Sequence, residues 1–562
     1  MIEIKEDLSK ELPTYTSLFI KLPKNIPSII TNIKQQEVYW LDYNTFILEL
    51  PLNRLSYIVK LLIPFDDVKF IQYIDSPLEV LKEPLKAFKI KPYKYQEEGI
   101  KFGLLHNKWL LLDDQGLGKT LQMIYLAESL YEQEKIDHCV IICGVASLRY
   151  NWANEIRKFS CLSYTILGQT FSKRGKVRKI GVKDRCEDLK QGIKEFFIIT
   201  NIETLQGRAK DGKDFAKAFN TSKEKYNMIV LDEAHMCKSS TSKAAKSLLR
   251  LKSDYKIALS GTIIENEPGD SYVALKWIDA IKCNKGMFDH LYNVYGGFAN
   301  KQVVGYKNLE LLKDLIAHHS LRRKKDEVLD LPKKNYIIEY VEMSPKQQEL
   351  YDNIQQGIAE ELDLLPKDKK LTIMEEITMN MRSRQVTAWP GILTTEDIPS
   401  AKLDRLESLV EQIISQGDKV IIFSTFKSTL PEVLRRLERY NPIAVSGDTP
   451  DEELNVLKKE FEINPDKKVF IGTWQKIGTG FTMTAANYAI FIDTPWNNSK
   501  FEQCADRIYR IGQTKPVFII TLITKNTYDE RVQELVEMKG ISADYIIDGK
   551  ESGKLIQVDD IE

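Results

Sequence analysis

Short, wholly apolar runs recur along the chain, each followed by a turn and then by a segment whose apolar positions return every three or four residues. In a first block they are "KWLLLDD" (108–114), "CVIICG" (139–144), "FFIIT" (196–200), "NMIVLDE" (227–233) and "KIALSGT" (256–262). A second block holds "KVIIFST" (419–425), "NPIAVSG" (441–447), "KVFIGTW" (468–474), "YAIFIDTPW" (488–496) and "VFIITLIT" (517–524). Runs apolar on both faces suit strands buried in a parallel sheet, and their alternation with amphipathic segments predicts α/β architecture. Two similar lobes are therefore expected, at 86–264 and 399–545.

Between the lobes, over 265–398, the pattern turns helical and charged, as in "YDNIQQGIAEELDLL" and "KKLTIMEEITMNMRSRQ". An inter-lobe insertion and linker is expected there. Residues 1–85 predict a small α+β domain, with a hairpin in "EVYWLDYNTFILEL" (37–50) and a helix in "NRLSYIVKLL" (53–62). Residues 546–562 read as a polar tail.

The first lobe opens on "LLDDQGLGKT" (111–120), a strand end, a glycine-rich turn and the start of a helix. Backbone N–H groups around Gly116 and Gly118 and a helix N-terminus can cradle phosphates there; Lys119 can reach the outer phosphate oxygens and Thr120 can ligate Mg²⁺. Asp113 stands where the general phosphate-loop pattern has glycine. A lone G-x-G-K-T is as readily an ordinary strand-to-helix turn. A second strand, however, ends in "IVLDEAH" (229–235), placing Asp232 to hold the metal ion and Glu233 to polarise an attacking water. The pair of motifs predicts nucleoside-triphosphate hydrolysis with Mg²⁺; the nucleotide is expected to be ATP on the resemblance described below.

Near the end of the second lobe, "QCADRIYRIGQTKP" (503–516) predicts a helix that stops at Gly512 and Pro516 and carries Gln503, Arg507 and Arg510 on one face. By themselves two helical arginines read as a solvated face. Beside a hydrolytic site they become candidates to stabilise charge on the transferring phosphate.

Composition narrows the partners. Lys plus Arg and Asp plus Glu each total 80, so any nucleic-acid surface must be local. The seven cysteines, at 139, 143, 161, 186, 237, 283 and 504, form no C-x-x-C pair, which argues against a disulfide framework or structural zinc and fits a reducing compartment. The N-terminus "MIEIKEDLSKELP" has no basic-then-apolar leader, and no apolar run approaches the roughly 20 residues of a membrane helix. A cytoplasmic, monomeric protein is expected, and the abundance of Lys, Ile, Asn and Tyr points to AT-rich coding in a bacterium or its virus.

Residues 90–540 resemble helicase superfamily two, and within it the Swi/Snf-type ATPases that translocate on duplex DNA. The resemblance rests on "YKYQEEGIKF" (93–102), "DDQGLGKTLQ", "VIICGVASLRYNWANEIRKF" (140–159) with Trp152, "IITNIETL" (198–205), "LDEAHMCKSSTSK" and "ALSGTIIENEP" (258–268). It continues through "LRRKKDEVLDLPKK" (321–334), "KVIIFST", "GTGFTMTAANYAIFIDTPWN" (478–497) and "QCADRIYRIGQ". Two departures stand out: Glu265 occupies a position where the family has Gln, and "TWQKIG", with Trp474, replaces the commoner residues before "GTGF".

The resemblance implies two RecA-like lobes, adenine recognition by Gln96 and a nucleotide contact from Gln503. It also implies duplex or forked DNA held through its backbone by Thr200, Gly261, Thr262, Ser424, Gly480 and Thr482, with Lys238 nearby. The activity implied is a DNA-dependent ATPase that translocates on double-stranded DNA and remodels protein–DNA complexes or forks in replication, repair or recombination, with a protein partner from those processes. Alternatives are a strand-separating DNA or RNA helicase, an RNA-polymerase-recycling ATPase, or an ATP-gated scaffold. The N-terminal segment resembles the small domain that precedes the motor in the annealing-helicase branch; Trp40, Phe46 and Tyr57 read either as its core or as junction-recognising aromatics. The basic stretch "SKRGKVRKIGVKDR" (172–185) reads as a phosphate contact or a solvated loop.

Overall fold

The computed structural model describes residues 85–145, 148–171, 177–179, 181–207, 214–296, 302–363, 373–478, 483–496 and 498–534, together with the backbone of five strands before residue 85. The chain divides into two compact units. The first takes the chain to Asp114 and Gly118–Lys324; the second takes Gln115–Leu117 and Lys325–Gly540.

The N-terminal strands are β1 (Ile2–Asp7), β2 (Ser17–Lys21), β3 (Tyr39–Asp42), β4 (Ile47–Pro51) and β5 (Val68–Gln72), in the order β3-β4-β2-β1-β5. The expected hairpin is β3–β4, with a register shift between Trp40 and Asp42. The helix expected at 53–62, the side chains of Trp40, Phe46 and Tyr57, and the tail 546–562 lie outside the described residues.

The first unit carries β6 (Lys108–Leu111), β7 (Cys139–Cys143), β8 (Tyr164–Ile166), the hairpin of β9 (Gln169–Phe171) and β10 (Val177–Lys179), β11 (Phe197–Asn201), β12 (Met228–Asp232) and β13 (Tyr255–Leu259). The hairpin of β14 (Asn293–Gly296) and β15 (Gln302–Tyr306) and then β16 (Ser320–Leu321) follow. Seven of these strands make one parallel sheet in the order β16-β6-β13-β12-β7-β11-β8. Alternate residues point to opposite faces, and both faces are dry. Val140, Ile142, Ile229 and Leu231 enter one cluster, while Ile141, Ile199, Val230 and Ile257 enter the other. Double-sided burial is why these strands read as unbroken apolar runs.

The second unit carries β17 (Lys334–Val341), β18 (Val420–Ser424), β19 (Ile443–Val445), β20 (Val469–Thr473), β21 (Tyr488–Phe491) and β22 (Val517–Thr524). They form a parallel sheet in the order β17-β22-β21-β18-β20-β19. The helix Ala401–Ser415 packs Leu403, Leu406, Val410 and Ile413 on this sheet, and Ser400 caps it by accepting from the Leu403 N–H at 3.4 Å.

Every strand run named in the sequence lies in one of these two sheets, so the α/β reading with two RecA-like parallel lobes holds. The expectation for 265–398 needs correction. Its Lys334–Val341 portion is the edge strand of the second sheet, paired residue for residue with β22. Along it Tyr336, Ile338 and Tyr340 are exposed, so half the strand lacks the apolar signature that marks the inner strands. The helices expected there are Pro345–Asp363 and Ile373–Ala388. Among the described residues no helix is long and apolar enough to cross a membrane.

Candidate functional site

The strands of the first sheet end in one row. Register pairs Leu111 with Leu259, Leu259 with Asp232, Asp232 with Cys143 and Cys143 with Asn201, so the loops after β6, β12, β7 and β11 leave from the same edge. That carboxyl edge is where open α/β sheets bind ligands. A cavity of about 900 Å³ lined by Lys108, Tyr226, Lys256 and Asp279 lies at the opposite strand ends and contains none of the motif residues.

Gly118 caps the helix Lys119–Glu132 at φ +74°, and Gly116 has φ +91°, both in the left-handed region that a side chain would strain. Gly118 also lies against the Gln96 amide, which a Cβ would meet at 2.4 Å. The glycine requirement is therefore steric as well as conformational. Gln96 is buried, and its Oε1 accepts from the Tyr93 N–H at 3.0 Å. Lys119 Nζ folds back to donate to the carbonyl oxygens of Asp113 (2.6 Å) and Asp114 (3.2 Å). Burial pulls the Lys119 ammonium below its ordinary pKa; Glu233, Asp113, Asp114 and Asp232 act the other way.

Asp232 is fixed from two sides. Its Oδ2 accepts from the indole N–H of buried Trp152 at 2.8 Å, and its Oδ1 accepts from the Glu233 N–H at 3.0 Å. Burial and then the neighbouring Glu233 push its carboxyl up to about 7, against the pull of Trp152 and Lys119. Concentrated negative charge of this kind is relieved by a divalent cation, so the donor set fits Mg²⁺. Glu233 sits at φ +52°, and its Cβ lies where a side chain on Gly144 would be, 2.8 Å away. The glycine after β7 thus makes room for the carboxylate after β12. His235 Nδ1 stands 3.4 Å from Glu233 Oε2 and 3.3 Å from the Ser260 hydroxyl.

Several residues expected to contact DNA have their polar groups engaged within the protein. Thr200 is fully buried, with its hydroxyl donating to Thr204 at 3.1 Å, and Ser424 is buried with its hydroxyl donating to Asp493 at 2.8 Å. Gly261 is buried and Thr262 is partly buried, its N–H donating to the Ser260 hydroxyl at 3.2 Å. Lys238 donates to Glu265 at 2.7 Å and lies 3.5 Å from Asp270, so its charge is matched within the protein. The acid at 265 thereby acquires a reason: it is the partner of Lys238. Gly480 and Thr482 lie outside the described residues. Arg185, the last basic residue of the 172–185 stretch, donates to the Thr204 hydroxyl at 2.9 Å.

In the second unit the helix Asn498–Ala505 ends before the arginines. The expected single face of Gln503, Arg507 and Arg510 is therefore corrected: tighter bonds from Arg507 N to Cys504 O and Ile508 N to Ala505 O convert the end of the helix into turns. Gln503 and Arg507 are buried; Arg507 Nε donates to the Gln503 carbonyl at 3.1 Å and Arg510 Nε to that of Asp506 at 3.0 Å. Trp474 packs against the core of its own sheet.

Two features escaped the sequence reading. Residues 320–323 run beside β6 and its loop: the N–H groups of Leu112 and Asp114 donate to the carbonyls of Leu321 and Arg323, at 2.8 and 3.0 Å. The arginines in "LRRKK" were the available signal. Trp496, 41% exposed, has the Arg384 guanidinium 4.7 Å from its ring and lines an apolar cavity of about 420 Å³ with Met381, Phe426 and Tyr528. A tryptophan just past a strand end was the signal there.

Residues 95–392 match the family model described as SNF2-related domain, and residues 401–512 match the helicase conserved C-terminal domain. The SNF2 domain-containing protein ENL1 of Oryza sativa subsp. japonica is 26% identical over 534 residues, covering 84% of this chain and 53% of that protein. An uncharacterized ATP-dependent helicase of Mycoplasma pneumoniae is 28% identical over 455 residues, covering 78% of this chain and 40% of that one. The chain thus spans about half the length, or less, of the curated relatives it matches. A solved Sulfolobus solfataricus SWI2/SNF2 ATPase core in complex with dsDNA is 24% identical, covering 82% of this chain and 98% of that chain with a TM-score of 0.36.

Proposed function

Because the chain belongs to the SNF2-related family, we propose that it is a DNA-dependent ATPase that translocates on double-stranded DNA and remodels protein–DNA complexes or forks. The observation carrying this reading is the meeting, at one sheet edge, of a left-handed glycine turn, Lys119, and the Asp232–Glu233 pair held by Trp152. In this reading Gln96 reads the adenine, Gly116, Gly118 and Lys119 hold phosphates, and Thr120 and Asp232 hold Mg²⁺. The ion, when bound, offsets phosphate charge. Glu233 accepts a proton from the attacking water, and Arg507 and Arg510 stabilise the charge that develops on the phosphoryl group, a role typically worth about 10³ to 10⁵ in rate.

Duplex contact is assigned to surfaces other than the buried hydroxyls. Trp496 is the candidate of the second unit: an exposed indole, backed by the buried Arg384 guanidinium, suits stacking on a base or sugar. Backbone contact reads no sequence, so affinity should fall steeply with salt.

The test is steady-state ATP hydrolysis with no nucleic acid, single-stranded DNA, linear duplex, forked duplex and RNA. Stimulation by duplex or fork supports the reading. Stimulation by single strands or RNA alone moves it to strand separation, and a flat rate across all ligands leaves an ATP-gated scaffold.

A further inference from the structure

The chain passes from the first unit to the second between Lys324 and Lys325. On the near side Arg323 is buried and touches three parts of the candidate nucleotide site. It donates to Asp113, where the phosphate loop begins, at 2.9 and 2.5 Å; to Gln122 on the loop's helix at 2.8 Å; and to the carbonyl of Tyr95, the neighbour of Gln96.

On the far side Lys325 is equally buried. Its ammonium reaches Asp506 Oδ2 at 2.7 Å and the Tyr509 carbonyl at 3.0 Å. Those two residues immediately precede Arg507 and Arg510, so one amine grips both ends of the turn that carries the arginines. Lys334 completes the grip, 3.1 Å from Asp506 Oδ1 and 2.8 Å from Glu502. Two residues separated only by Lys324 are thus each locked by buried charge, one to the loop and the other to the turn.

We propose that Arg323, Lys324 and Lys325 form a coupling strap through which occupancy of the phosphate loop sets the geometry of the turn bearing Arg507 and Arg510. Lys325 is then a positioning residue, acting through the arginines without touching nucleotide. The idea rests on the ATPase reading above. Its physical basis is slack: a link one residue long transmits a displacement of either anchor, whereas a longer flexible link would absorb it.

The strap is tested with the full chain. Lys325→Met keeps the aliphatic stem and removes the charge; binding of a fluorescent ADP analogue should change less than twofold while duplex-stimulated kcat falls at least tenfold. Lys325→Met combined with Arg510→Ala should lose less than the product of the two single losses, because Lys325 acts in part through Arg510. Insertion of one glycine after Lys324 leaves both ion pairs in place and should abolish duplex stimulation. A turnover-independent measurement is hydrogen exchange over 503–516 with and without ATPγS and Mg²⁺: protection is expected in the wild type and should be lost on insertion. Multiplicative losses in the double variant, or equal protection after insertion, overturn the strap. Hydrolysis that no nucleic acid stimulates overturns the translocase reading, and exchange still decides the strap.

Discussion

Arg323 closes a two-bond fork on Asp113, with Nε–Oδ1 at 2.9 Å and Nη2–Oδ2 at 2.5 Å, and Asp113 is wholly shielded from solvent. The position that breaks the general glycine pattern of phosphate loops is thus the anchor of the segment between the units. Gln122 adds a third contact to the carboxylate at 2.9 Å.

Asp113→Gly, which restores the general pattern, should therefore harm the protein. It strands a buried guanidinium, at an expected cost of about 3 to 5 kcal/mol. Urea unfolding of Asp113→Gly, Arg323→Met and the double variant checks this: the double variant should recover part of the loss. An unchanged midpoint in Asp113→Gly would show that the fork contributes nothing.

Lys119→Ala should abolish hydrolysis, and Glu233→Gln should bind ATP with near-normal affinity yet turn it over about 10² to 10⁴ times more slowly, the range typical for loss of a general base. Nucleotide titration alongside steady-state rates separates the two effects. Wild-type turnover by Glu233→Gln would remove Glu233 from its role.

Lys238→Ala should lower stability without changing the salt dependence of duplex binding, since the amine is matched by Glu265 and Asp270. Trp496→Ala should weaken duplex affinity with little effect on the unfolding midpoint. Binding isotherms at several salt concentrations distinguish them; a shallower salt slope in Lys238→Ala would return that lysine to the DNA surface.

Burial alone would raise the Asp506 carboxyl, but Lys325 and Lys334 outweigh it and hold it down to about 2. A folded pKa below the unfolded one means that the stabilisation is present above about pH 4 and is lost as pH falls toward 2. The contribution is about 2 kcal/mol. Burial also pulls Lys325 down to about 8 against the raising effect of Asp506, so the pair stays doubly charged from about pH 2 to about pH 8. Unfolding midpoints from pH 2 to 6 should show a flatter acid limb for Asp506→Asn than for the wild type; identical limbs would contradict the pairing.

The sequence by itself determined the inner strands of both parallel sheets, because strands covered on both faces must be apolar throughout, and it marked the glycine turn before Lys119 and the carboxylate pair, because left-handed glycines and adjacent acids at a strand end are local requirements. Tertiary structure decided what depends on distant partners. Thr200 and Ser424 have hydroxyls at strand ends, and only the fold shows that they donate to Thr204 and Asp493. Lys238 and Glu265 became a pair only when β12 and β13 lay side by side. The edge strand Lys334–Val341 hid because half its surface faces water. Asp113 and Arg323, 210 residues apart, acquired their meaning only when the fold buried both charges together.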